Sequence, residues 1–202
     1  TAADVVADHG IEADLMVTDL DKNVATARDL THAGTPVAAH AHGDNIPTIR
    51  EWLPEFAPAA TLVTTQAAPR GAVRNDGGFT DGDRAAFLAD AFGAAELRFV
   101  GWEFDDPAVG PLKARKLRWA EHLLFWLERR RGDRFGVLDG RRDSLADDPS
   151  TVSTDRSGSS PAPRPSRSTP ARARPSRCLS TNSPSPGTTA TGLSTPDSTR
   201  SR

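Results

Sequence analysis

Leu15-Met16-Val17-Thr18 is a short apolar run that ends in two carboxylates one residue apart, Asp19 and Asp21, and a helix-like segment follows it. In an α/β sheet the carboxyl end of a strand opens into the crevice where ligands bind. Side-chain alternation puts Asp19 and Asp21 on one side of an extended backbone and Leu20 on the other. Two hard oxygen ligands on one side suit Mg²⁺, which takes one or two carboxylates and shares its remaining positions with water and phosphate oxygens. A surface turn in which one of the two acids caps the next helix explains the same string equally well. The recurrence of acids at later strand ends favours the ligand reading.

Strand-like runs alternate with helical segments along the chain. Residues 1–9 suit a helix stopped by Gly10, and 13–18 form the first strand. Residues 22–33 suit a helix stopped by Gly34, 36–39 a second strand, and 46–56 a helix with Pro47 in its first turn. The β-branched run 61–65 is a third strand. A Gly/Pro/Arg-rich loop over 67–79 leads to a helix at 81–92, opened by Thr80 with Asp83 three residues on. A fourth strand is expected at 96–101, the longest helix at 112–130, and a last strand at 135–138. This order predicts an α/β fold, a three-layer α/β/α arrangement around a mostly parallel sheet.

Composition separates a domain from a tail. Residues 1–140 carry a net charge of −7 and hold all four Trp, all eight Phe and all five His, whereas 141–202 carry +5. The second part is mostly Ser, Thr, Pro, Arg and Ala, and has too little to bury to offset the entropy of ordering. We therefore expect an α/β domain over 1–145 and a disordered tail over 146–202. Beyond about Pro149 the tail resembles a GC-rich gene read out of frame or past its stop, a hypothesis that the coding sequence tests. The one cysteine, Cys178, allows neither an internal disulfide nor a cysteine metal cluster. With no signal peptide and no bilayer-length apolar run, a cytoplasmic protein without a membrane partner is expected. The acidic first part argues against nucleic acid as a partner.

Three strand ends carry acids: Asp19 and Asp21, then Asp44, then Asp81 and Asp83 beyond the long loop. In a parallel sheet these ends share one edge, so the five carboxylates can converge, and their repulsion would call for a cation and phosphates. Asp81 and Asp83 have a simpler role open to them, since acids in a first helical turn answer its dipole and free N–H groups. Gly77-Gly78 frees the backbone to approach a ligand beside a helix start that favours anions. Lys113, Arg115, Lys116 and Arg118 stand in the first turns of the longest helix, against its dipole, as a phosphate-facing set or a solvated basic face. Arg74 and Arg84 are similarly placed to reach a triphosphate. His40-x-His42-x-Asp44-Asn45 approaches the H-x-H-x-D-H string of binuclear zinc hydrolases. Asn45 replaces its last histidine, however, and His122 is the only later one, so a zinc hydrolase is not expected.

Thr18-Asp19-Leu20-Asp21, His40-Ala41-His42-Gly43-Asp44-Asn45, Gly77-Gly78-Phe79-Thr80-Asp81-Gly82-Asp83-Arg84-Ala85 and Lys116-Leu117-Arg118-Trp119-Ala120 together make the chain resemble the archaeal 6-hydroxymethyl-7,8-dihydropterin pyrophosphokinases over residues 1–145. That family is similar in fold to thiamine pyrophosphokinase, whose aspartates hold Mg²⁺. The resemblance implies transfer of diphosphate from ATP to the hydroxymethyl group of the pterin, with release of AMP, in the synthesis of methanopterin or folate-type cofactors. By it, Asp19, Asp21, Asp44, Asp81 and Asp83 are the metal candidates, and Asp19, Asp21 and Asp81 the catalytic ones. Gly77, Gly78, Thr80, Arg84, Lys113 and Lys116 are candidates for ATP, and Asn45, Gln66 and Phe79 for the pterin, with Trp102 as a further aromatic. The partners implied are ATP and a pterin alcohol; a homo-oligomer is compatible with them.

Two departures from the family pattern stand out. Lys22 occupies a position where the family usually has glycine. The family also carries an N-terminal segment with a glycine-rich turn and an Asp-Gly-Ala motif, so the chain is expected to be N-terminally truncated. Two other functions stay open on the residues alone: a nucleotide-sugar glycosyltransferase using Asp19-Leu20-Asp21 as its D-x-D site, and a catalytically inactive nucleotide-binding domain.

Overall fold

The computed structural model describes residues 2–146 and the backbone of residues 178–180. Three parallel strands form the frame: β1 (Leu15–Thr18), β2 (Val37–Ala41) and β3 (Thr61–Thr65). β1 is buried along its whole length, which is why it reads as an unbroken apolar run. Parallel neighbours need a crossover. Helix α2 (Val24–His32) supplies the one between β1 and β2, and α3 (Ile46–Trp52) with three short 3-10 turns supplies the one between β2 and β3. The strand order is β3-β2-β1-β4, in which β4 (Cys178–Ser180) lies parallel to β1. These three residues fall in the segment expected to be a disordered tail, and they take up β1's otherwise open edge. The rest of that expectation lies outside the described residues.

Alternation sorts the core. Met16, Val37 and Ala39 face one side and pack with Ala27 of α2, Ala3 of α1 (Ala2–Asp8) and Phe56. Leu15, Val17 and Ala38 face the other side and meet Ala85 and Leu88 of α4 (Asp81–Ala91). Outside α4 lies α5 (Pro111–Arg131), 21 residues ended by Gly132 in the left-handed region at φ 68°. Ala86 and Phe87 of α4 join Leu124, Phe125 and Leu127 of α5, Phe135, Leu138, and Leu145 of α6 (Arg142–Ala146) in a separate core cluster. The architecture is α/β with helices on both faces, as expected, and α5 and α6 add an outer layer over α4.

Two expected strands are absent from the described residues. Residues 96–100 belong to no sheet, although Leu97 and Phe99 pack on the core cluster with the alternation that suggested a strand. The outer edge of β3 is already engaged: Thr65 N donates to Arg74 O (2.8 Å) and Arg74 N donates to Val63 O (3.0 Å). The segment 135–138 forms a 3-10 turn over Gly136–Leu138, in which Leu138 N donates to Phe135 O. Among the described residues no helix is long and apolar enough to cross a membrane.

Candidate active site at the carboxyl edge of the sheet

The chain reverses sharply after β1. Leu20 sits in the left-handed region at φ 61° while its side chain is 1% exposed. For a non-glycine residue that conformation costs roughly 1–2 kcal/mol. Burial of the leucine offsets it, and so does a local bond, Leu20 N to Thr18 Oγ1 at 3.0 Å. Asp21 N donates to Asp19 Oδ1 (3.2 Å), holding the two acids together. Partial burial, then the bond to and charge of Asp19, raise the pKa of Asp21, against the pull of Lys22 and His42. Asp19 and Asp21 are thus a repelling pair at the mouth of β1.

The end of β2 faces this turn. His42 Nε2 lies 3.7 Å from Asp19 Oδ2, and the His40 and His42 rings stack at 6.0 Å. His40 is 3% exposed; its Nδ1 bonds Thr64 Oγ1 on β3 at 3.0 Å, and its Nε2 is buried with no hydrogen-bond partner. Burial, then the charges of Arg84 and His42, lower its pKa from 6.5 to about 4, so the ring is neutral. Asn45 joins the two strand ends. Its Nδ2 donates to Asp19 O (2.5 Å) and His40 O (2.7 Å), and its Oδ1 accepts from His42 N (2.9 Å). Asp44, beside it on the 3-10 turn Gly43–Asn45, is exposed, as is Gln66 past the end of β3.

The long loop meets the sheet edge at α4. Gly77 and Gly78 have φ of 111° and 88°, and both are held by close approach to the helix. A Cβ on Gly78 would stand 2.4 Å from Arg84 Cα, and one on Gly77 2.4 Å from the Phe87 ring. This contact accounts for the glycine pair without any ligand. Asp83 is fully buried and accepts from Phe79 N (2.6 Å), Thr80 N (2.7 Å) and the Thr80 hydroxyl. Burial raises its pKa while those donors pull it down. Its carboxylate is committed to the helix cap, the simpler of the two roles open to it. Asp81, half-buried, opens the same helical turn two residues earlier, and Phe79 is 45% exposed.

Arg84 is 2% exposed, and donates to the carbonyls of Gly77 (3.3 Å) and Phe79 (3.4 Å). Its Nε is buried with no hydrogen-bond partner. Burial lowers its pKa, and the charges of Asp83, Asp81 and Asp19 counter that. Arg84 therefore places a positive charge behind the strand-end acids.

The edge brings together Asp19, Asp21, His42 and Asn45, with Arg84, Asp81 and Asp83 within electrostatic range. It does not gather five carboxylates into a cage: among the described residues no three His, Cys, Asp or Glu side chains are grouped to hold a metal ion. Lys113 and Lys116 lie in the first turns of α5, the helix packed on the outside of α4. Trp102 packs beside Phe99 and Phe104 in the outer cluster. The donor set fits a hydrated Mg²⁺ held by one or two carboxylates, with Asp19 and Asp21 the suitable pair and Asp83 already engaged. Sequence reasoning passed over His42 and Thr64 as site residues. The period-2 string His40-x-His42 at a strand end carried the signal for the first, and nothing local carried it for the second.

Residues 1–108 match the family model described as 6-hydroxymethylpterin diphosphokinase MptE-like. The chain is also 37% identical over 142 residues to the 6-hydroxymethyl-7,8-dihydropterin pyrophosphokinase of Methanothermobacter thermautotrophicus, covering 63% of this chain and 60% of that protein. The protein of the same name from Pyrococcus furiosus is 39% identical over 142 residues, with 63% and 59% covered. That of Methanocaldococcus jannaschii is 31% identical over 138 residues, with 60% and 57% covered. The chain thus spans about 60% of the length of these relatives.

Proposed function

Since the chain belongs to the 6-hydroxymethylpterin diphosphokinase MptE-like family, we propose that it transfers diphosphate from ATP to the hydroxymethyl group of 6-hydroxymethyl-7,8-dihydropterin. The observation that carries this reading is the Asp19–Asp21 pair at the carboxyl edge of the sheet, backed by the buried cation Arg84. The pterin hydroxyl oxygen attacks the β-phosphorus of ATP, the bond from that phosphorus to the α–β bridging oxygen breaks, and AMP departs. The hydroxyl proton passes to an aspartate of the edge or to water. Such transfers are accelerated mainly by positioning and by electrostatic stabilisation of charge on phosphoryl oxygens.

Mg²⁺ bound through Asp19 and Asp21 would supply neutralising charge beside the phosphates. The protein's own contribution is to hold these two acids close together at the strand end, with the buried positive charge of Arg84 behind Asp19. Asp81, whose charge reaches Arg84, is the third carboxylate proposed for the reaction. Asp44, at the exposed end of β2, is assigned to the metal, the cations Lys113 and Lys116 on α5 to the phosphates, and Phe79 and Gln66 to the pterin. We place the reaction in the cytoplasm, in the synthesis of a methanopterin or folate-type cofactor, with neither nucleic acid nor membrane as partner. The test is the appearance of AMP from ATP and Mg²⁺ with and without the pterin. Pterin-dependent AMP supports the reading, and a folded chain that binds ATP but yields none contradicts it.

A further inference from the structure

Asn45 is 6% exposed, and each polar atom of its side chain has a backbone partner. Its amide orientation follows from those partners, because only Nδ2 can donate to two carbonyls and only Oδ1 can accept from an N–H. Both donor hydrogens are thereby spent. The amide has none left to offer a pterin edge, the role expected of it from sequence.

Its location gives it another role. The β1–β2 ladder runs through the pair Thr18 and Ala39, and beyond it the strands separate into the Asp19 turn and the His42 turn. Asn45 is the cross-link past that point. The carbonyl it holds at Asp19 belongs to the peptide plane leading into Leu20, the residue in the left-handed region. Fixing that plane fixes the turn, and the turn sets the Asp19 carboxylate 3.7 Å from His42 Nε2 and against Asp21 N.

We propose that Asn45 is a positioning residue: it locks the turn after β1 to the end of β2, so that Asp19 and Asp21 are preorganised for a divalent cation. The metal half of this statement rests on the Mg²⁺ reading above. Loss of such an outer support typically lowers metal affinity by about 10–100-fold.

The test compares the full chain with Asn45→Asp, which keeps the side-chain shape, removes both donors and adds a negative charge. Mn²⁺ alone is titrated by electron paramagnetic resonance, and hydrogen exchange is followed for peptides covering 17–23 and 112–131. The expected result is Mn²⁺ affinity weakened at least tenfold despite the extra negative charge, with faster exchange over 17–23 and unchanged exchange over 112–131. A variant that binds Mn²⁺ as tightly as the wild type or tighter overturns the proposal, as does unchanged exchange over 17–23. If the wild-type chain binds no Mn²⁺, the metal reading fails separately, and exchange over 17–23 alone decides whether Asn45 is the clamp. Should Asn45→Asp not fold, Asn45→Ser is judged on the same two readouts.

Discussion

The carboxyl edge of the sheet and the corner built by α4, α5 and α6 treat charge in opposite ways. In the corner each buried acid has a guanidinium against it. Glu128 holds Arg142 (2.7 Å) and accepts from Phe135 N (2.5 Å), Glu121 meets Arg141, and Asp90 takes both Arg130 and Arg131 at 2.5 Å. Burial pushes the pKa of Glu128 and of Asp90 up, and their arginines outweigh it, so both end lower than usual. At the edge, two acids repel, a buried imidazole is held neutral, and a buried guanidinium has only two long bonds to carbonyls. The corner spends its polar groups on holding the fold. The edge holds its own against the fold's stability, as sites do when strain and like charge serve a ligand.

The largest effect should come from breaking the corner. Glu128→Ala leaves half-buried Arg142 with Asp139 (2.6 Å) as its remaining acid partner and Phe135 N unpaired, and should cost about 3–4 kcal/mol in denaturant unfolding. A loss below about 1 kcal/mol would remove the contrast with the edge. Second is the pH response of His40. Its pKa lies near 4 in the fold and 6.5 ordinarily, so between these values the unfolded chain binds a proton that the folded chain does not. Stability tied to this group is intact above pH 6.5 and is lost as pH falls toward 4, by up to about 3 kcal/mol. His40→Gln should show a shallower fall than wild type between pH 7.5 and 4.5, and parallel curves would contradict the neutral assignment.

Gly78→Ala should cost about 1–3 kcal/mol, because φ of 88° strains an alanine and its Cβ meets the start of α4. An unchanged melting temperature would mean the loop does not lie against the helix. The smallest effect belongs to Asp21→Asn. The raised pKa of Asp21 means its ionised form weakens the fold, so the variant should melt slightly higher than wild type at pH 7. The difference should vanish in acid, where both side chains are neutral.

The parts of this molecule that announce themselves in sequence are those governed by local pattern. β1 and β3 follow from unbroken apolar or β-branched runs, α5 from its length and apolar stripe, and the acidic edge from carboxylates at successive strand ends. Residues 96–101 show the limit of pattern: Leu97 and Phe99 alternate into the outer core cluster as a strand would, but the segment joins no sheet. The glycine pair reads in sequence as a phosphate cradle, while its close contact with α4 carries no local signal. Asn45 looked like a group for reading a ligand, since a loop amide carries no sign of which backbone carbonyls will claim it. Leu20 gave no hint of a left-handed turn, because its conformation is imposed by burial of its side chain and by partners far along the chain.

The most direct measurement is the rate of pterin-dependent AMP release, at equal concentrations of folded protein, by wild type and Asp19→Asn. The variant should lose about 10²–10³-fold in rate, on the scale of removing one electrostatic contact to a transition state, while melting no lower than wild type. A variant that releases AMP at the wild-type rate, or one that loses activity only because it no longer folds, would contradict the assignment of the sheet's carboxyl edge as the site of reaction.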